Sequence, residues 1–211
     1  MKKENKKNEI LAAARKIIIE RGYKKTSVQE ITNEVGIAKG SFYTYFKSKN
    51  ELVITLILDK ISKIKEKNEL ILKNEISLKN AFEKYSYNVA RLPLEDPESF
   101  ILMMRLLDCR EDLEKEVREE LYSLHLKRGT FVRKTLKKYK DELDIEKDGE
   151  IERYVGMIVG LVDTYYENVV VPIVNQSMSL TVKETEKLVN KINIDYEVNF
   201  MKKCILKLIL K

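Results

Sequence analysis

The chain has 211 residues, 44% of them apolar and 35% charged, with only 7 Gly and 3 Pro. That length suits one large domain or a small module with a larger one, and the composition favours helices over a many-turned β fold. It has no apolar run of about 20 residues and opens on the charged MKKENKKNEI, so neither a membrane span nor a secretory leader is expected, and the protein is expected to be cytoplasmic.

Charge is concentrated at the start. Residues 1–50 carry 12 Lys/Arg against 5 Glu, while the whole chain nets +6. The rest of the chain is therefore close to neutral, and the excess lies where a polyanion would be met. Cys109 and Cys204 are far apart, show no metal-ligand spacing, and read as ordinary thiols of a reducing compartment.

Taken in order, Ile10, Leu11, Ala14, Ile17 and Ile18 fall on one helix face, and Gly22 stands where such a helix would end. Ser27-Val28-Gln29-Glu30 is a capping box that opens a second helix, with Val28, Ile31 and Val35 on its apolar face. Gly36 breaks it, because glycine adopts positive φ without a Cβ penalty. Ile37, Phe42 and Phe46 point inward from a third helix. Ser48-Lys49-Asn50-Glu51 reads as another capping box, opening a fourth helix through Leu52, Val53, Leu56, Ile57, Ile61 and Ile64.

Further helices are expected around Leu78–Val89 and from Asp96-Pro97 onward, with the proline at the first helical position. One long charged helix is expected over roughly 111–139, an apolar one over Ile151–Tyr166, and a capping box at Thr181 and Glu184 before the C-terminal helix or helices. Val169–Val174 has some strand character, against which Pro172 argues. The Asn175-Gln176-Ser177 triplet reads as chance in a cytoplasmic chain.

Two short helices about a glycine turn make a helix-turn-helix, whose second helix enters the DNA major groove. Phe42 and Phe46 serve the core, which leaves Lys39, Gly40, Ser41, Tyr43, Thr44 and Tyr45 for DNA. Gly40 permits close approach, Lys39 and Ser41 donate to base edges or phosphates, and the tyrosines offer hydroxyls and rings.

The string Gly22, Thr26-Ser27-Val28, Ile31, Gly36-Ile37, Gly40-Ser41-Phe42-Tyr43, Tyr45-Phe46, Ser48-Lys49 and Glu51-Leu52 resembles the TetR family of bacterial transcriptional regulators over roughly residues 8–55. The resemblance implies that Ser27 caps the second helix and touches phosphate. It also implies that Gln29 reaches a base, that Lys39, Gly40, Ser41 and Tyr43 face the groove, and that Tyr45 and Lys49 meet phosphate. Two positions depart from the family pattern: Thr32 replaces a common Ala, and Ala38 replaces a capping Ser or Thr. Ala is a poor cap, by about 0.5–2 kcal/mol.

The resemblance further implies an all-α fold: an N-terminal three-helix helix-turn-helix domain (1–47), a connecting helix (48–66) and a larger helical effector-binding and dimerisation domain (67–211). A homodimer on a near-palindromic double-stranded operator is expected, released by a small, partly apolar effector. The Ile151–Tyr166 helix, with Gly156 and Gly160 four apart, and the segment 181–210 are the expected interface. Phe82, Tyr85, Met103, Met104, Leu107, Tyr122, His125, Tyr165 and Tyr166 are candidates to line the effector site, or else core. No cofactor, metal or catalytic set is expected, since His125 is the only histidine. The competing readings are an enzyme with an appended DNA-binding module and a membrane-surface protein anchored by the tail Phe200–Lys211.

Overall fold

The structure is a computed structural model that describes residues 2–75, 77–108, 113–143, 149–172 and 182–210. Helix follows helix: α1 (Lys2–Arg21), α2 (Val28–Val35), α3 (Lys39–Phe42), α4 (Lys49–Asn74), α5 (Leu78–Glu95), α6 (Pro97–Asp108), α7 (Lys115–Lys127), α8 (Thr130–Lys138), α9 (Glu150–Tyr165), α10 (Val182–Val189) and α11 (Ile194–Ile209). The fold is all-α, and its β pairing among the described residues is a single bridge, Leu143 to Leu210. The stretch that carried strand character is helical through Pro172, beginning with a π turn at Tyr166–Val170. Residues 173 and 174 lie outside the described residues, as do Cys109, Thr181 and the Asn175-Gln176-Ser177 triplet.

Two compact units emerge. The first joins residues 1–62 with 98–124, and the second joins 63–97 with 125–211. This division interleaves along the chain.

In the first unit α1, α2 and α3 pack round Ile10, Ala14, Ile18, Ile31, Phe42 and Phe46, all buried. Leu52, Val53, Leu56 and Ile57 of α4 are buried as the helical spacing required.

The second unit is built on α5, α8, α9 and α11. Phe82, Tyr85, Phe131, Leu136, Ile158, Val162, Ile205 and Ile209 share one core. Met201, Ile205 and Ile209 turn the apolar side of the C-terminal tail into this protein interior, so that side is not available as a lipid anchor. The end of α4 is held here too. Lys138 donates to the carbonyls of Leu72 (2.6 Å) and Glu75 (3.0 Å), and the Tyr139 hydroxyl donates to Glu75 O at 2.6 Å. A cation and a hydroxyl thus satisfy carbonyls that a helix C-terminus leaves without partners.

One element differs from expectation. The single helix over 111–139 is two, α7 and α8, parted at Arg128-Gly129. A Cβ on Gly129 would lie 2.5 Å from Val155 Cγ1, so the chain comes close to α9 at a residue without a side chain.

Candidate nucleic-acid interface

The turn between α2 and α3 forms for local reasons. Ser27 accepts from Glu30 N (3.2 Å) while the Glu30 carboxylate accepts from Ser27 N (2.8 Å), completing the capping box. At the other end Gly36 sits at φ 70°, ψ 38°, and Ile37 N donates to Thr32 O at 3.0 Å, which turns the chain toward α3. Thr32 is fully buried, and its hydroxyl donates to Gln29 O at 3.0 Å, so the departure from Ala leaves no unmet polar group. Ala38 stands at the N-cap of α3 with no side-chain cap, as its identity required.

The third helix is a single turn, followed by tighter turns. Tyr43 N donates to Gly40 O (3.2 Å), Thr44 N to Ser41 O (3.3 Å) and Tyr45 N to Phe42 O (2.9 Å). Phe42 and Phe46 point inward with ring centroids 5.6 Å apart. Lys39, Gly40, Ser41, Tyr43 and Thr44 are exposed together, Tyr43 by 54%, and Tyr45 is half-buried. Ser27, the N-cap of α2, and Gln29 within it are also exposed.

Some of the expected contacts are already engaged. The Ser27 hydroxyl donates to Glu30 Oε2 at 2.9 Å, and Gln29 Nε2 donates to Asn33 Oδ1 at 2.8 Å. Three of the N-terminal cations are paired with carboxylates: Lys6 with Glu9, Lys16 with Glu34 (2.7 Å) and Arg21 with Glu30 (3.1 Å). The hydrogen bond and charge of Lys16 hold the Glu34 carboxyl below its ordinary range, and Glu34 in turn raises Lys16. The Ser27 backbone N–H does the same for Glu30, helped by the Ser27 hydroxyl and Arg21.

At the start of α4 the expected second capping box is half-formed. Glu51 N donates to Ser48 Oγ at 3.1 Å, but the Glu51 carboxylate accepts from Lys47 N instead of Ser48 N. Lys49 turns back into the protein: its Nζ donates to Tyr23 O (3.1 Å) and Thr26 O (3.0 Å) and lies 3.9 Å from the Tyr23 ring centroid. The sequence reading missed these partners because nothing in linear spacing marks a lysine that bonds a loop 23 and 26 residues away.

The effector candidates divide. Phe82, Tyr85, Tyr165 and Tyr166 belong to the second unit, where Tyr85 stacks on Phe131 at 4.9 Å and the rings of Tyr165 and Tyr166 stand 5.2 Å apart. Burial raises the hydroxyl pKa of all three tyrosines, that of Tyr85 to about 12. Met103 and Met104 are half-buried on α6 of the first unit, and Tyr122 of α7 is 65% exposed. The side chains of Leu107 and His125 lie outside the described residues. Among the described residues no cluster suits a metal ion, and no helix is long and apolar enough to cross a membrane.

A capped short helix, a positive-φ glycine turn and a one-turn helix with a polar exposed face define a helix-turn-helix protein. Residues 10–56 match the profile of bacterial regulatory proteins, tetR family. The fatty acid metabolism regulator protein of Bacillus subtilis (strain 168) is 34% identical over 77 residues, 36% of this chain and 40% of that one. The HTH-type regulator YerO of the same organism is 26% identical over 176 residues, 76% of this chain and 54% of that one. The matches thus span between two fifths and about half of these curated relatives. The crystal structure of FadR from Bacillus subtilis in complex with stearoyl-CoA superposes with a TM-score of 0.69 at 20% identity, over 93% of this chain and 96% of that one, which shows a shared fold.

Proposed function

We propose that this chain is a ligand-responsive, sequence-specific DNA-binding transcriptional regulator, a repressor that binds a palindromic operator as a homodimer and is released by a small-molecule effector. The observation that carries the reading is the exposed set Lys39, Gly40, Ser41, Tyr43 and Thr44 over the buried Phe42 and Phe46. A core-only helix would not leave five consecutive-turn positions polar and open. Ser27, Gln29, Tyr45 and Lys49 are the remaining candidates at this surface.

The dimer is proposed through α9 and α11. Met157 is 54% exposed, and Gly156 and Gly160 on α9 have open space where a Cβ would stand. Tyr196 and Phe200 of α11 are exposed and stacked, with centroids 6.2 Å apart. Exposed apolar faces of this kind mark association surfaces. A two-fold pair would set its recognition helices about 34–36 Å apart, or a multiple of that. Phe200→Asp should halve the solution mass in sedimentation while leaving helical content unchanged.

The effector is proposed to bind in the helical C-terminal part, with Phe82, Tyr85, Tyr165 and Tyr166 as the first residues to test. Met103, Met104, Leu107, Tyr122 and His125 follow. Because a TetR-fold neighbour carries stearoyl-CoA, long-chain acyl thioesters are the first compounds to try. Release requires that the effector favour one of two states of the protein.

Fluorescence anisotropy on the chain's own upstream intergenic DNA, against scrambled DNA across salt, tests the reading. Binding confined to the upstream DNA with a steep salt slope supports it. Equal, salt-insensitive binding to both would overturn it.

A further inference from the structure

The lysine at the first position of α4 is held by the protein itself. Lys49 is half-buried, and its Nζ donates to two carbonyls of the loop between α1 and α2, those of Tyr23 (3.1 Å) and Thr26 (3.0 Å). An ammonium has three donors, and here two go to carbonyl oxygens while the charge lies 3.9 Å from the centre of the Tyr23 ring. The next residue repeats the connection in the opposite sense: the Tyr23 hydroxyl donates to Asn50 Oδ1 at 2.6 Å. Tyr23 and Thr26 are both buried. The loop is also tied to itself, with Thr26 Oγ1 donating to Gly22 O (2.8 Å) and Thr26 N to Tyr23 O (3.2 Å).

We infer that Lys49 is a positioning residue, which with Asn50 braces the start of α4 against the 22–26 loop and so sets where α2 presents Ser27 and Gln29. The inference rests on the reading of this surface as DNA-binding. It assigns Lys49 a different task from the phosphate contact that the family resemblance implies. Thr26 immediately precedes the N-cap Ser27, so a loop released from α4 frees the entry of α2. A phosphate that drew the Lys49 ammonium away from these carbonyls would release the same loop, whereas one that took only its third donor would leave the brace in place.

Salt dependence separates the two tasks. Each phosphate neutralised by a side chain contributes about 0.9 to the slope of log affinity against log salt, and its loss weakens specific and non-specific DNA alike. A positioning residue contributes nothing to that slope, and its loss weakens only the complex that needs correct geometry. Lys49→Met and Asn50→Ala are to be compared with wild type as full-length protein. The readouts are anisotropy on operator and scrambled DNA across salt, and hydrogen exchange of the free protein.

Both variants should lose about tenfold in operator affinity, the scale of one or two lost hydrogen bonds. Both should keep the wild-type salt slope and scrambled-DNA affinity, and exchange faster at residues 22–28 only. Asn50→Ala carries no charge change, so it stands in should Lys49→Met fold poorly. A slope reduced by about one in Lys49→Met, with unchanged exchange and no effect of Asn50→Ala, would make Lys49 a phosphate ligand and overturn the inference. If wild type shows no operator preference, the DNA-binding reading fails instead. The exchange experiment then still decides whether the brace exists, since unchanged protection at 22–28 in both variants would refute it.

Discussion

The Tyr166 hydroxyl donates to the Val89 carbonyl at 2.9 Å. That carbonyl lies four residues before Pro93, which sits inside α5 and has no N–H to give it. The neighbouring Ala90 carbonyl accepts from the Tyr165 hydroxyl at 3.0 Å. A proline within a helix removes one backbone bond and crowds the carbonyl four residues earlier. Here two consecutive tyrosines at the end of α9, where the helix widens into the π turn, serve the two carbonyls beside that defect.

Tyr166→Phe should therefore leave a partly buried carbonyl short of a donor and lower unfolding stability by about 1 kcal/mol. Pro93→Ala in the same background restores the helical N–H and should recover part of the loss. A double-mutant cycle by urea unfolding measures the coupling, and strict additivity would show that the two residues do not serve the same carbonyl.

Gly129→Ala places a methyl 2.5 Å from Val155 Cγ1. The expected cost is about 1–3 kcal/mol from overpacking, read as a lower thermal midpoint. Gly149→Ala, with nothing within 4 Å of the new carbon, should leave the midpoint nearly unchanged. Shortening Val155 to Ala should relieve much of the Gly129→Ala penalty.

Adjacent residues of α3 and its following turn should separate folding from recognition. Phe42 is fully buried and Tyr43 is 54% exposed. Phe42→Ala should destabilise the first unit by about 3–5 kcal/mol. Tyr43→Ala should leave the melting curve in place and reduce the preference for operator over scrambled DNA. A Tyr43→Ala protein with full operator preference would remove that side chain from recognition.

Alkaline pH should weaken the second unit. Burial lifts the Tyr85 hydroxyl from its ordinary 10.0 to about 12, the flanking Arg128 and Asp163 acting in opposite directions. Between those values the unfolded chain has released its proton and the folded chain has not. Stability present below pH 10 is thus lost as pH rises, by about 1.4 kcal/mol per pH unit for this group alone. Urea unfolding across that range checks the slope, and Tyr85→Phe should flatten it. On the acid side Glu152 is held low by its hydrogen bonds from Arg133 (2.6 and 2.7 Å), so that pair's contribution is present above the ordinary carboxylate range and fades as pH falls through the depressed value.

The sequence by itself determined the elements whose causes are local. Ser27 and Glu30 cap each other across three residues, Gly36 takes a positive φ, and Phe42 and Phe46 recur at helical spacing. These settled the helix-turn-helix and its exposed face, and the missing cap at Ala38 was equally readable. Tertiary structure decided what depends on distant partners. Lys49, which the family resemblance sends to phosphate, donates to the carbonyls of Tyr23 and Thr26. The helix expected over 111–139 breaks where Gly129 meets Val155. Tyr166 takes its hydrogen-bonding role from a proline more than seventy positions away, which leaves the Val89 carbonyl without a helical donor. Caps and turns are fixed by bonds within one helical turn of sequence, whereas the environment of a side chain is set by whichever segments the packed core brings beside it.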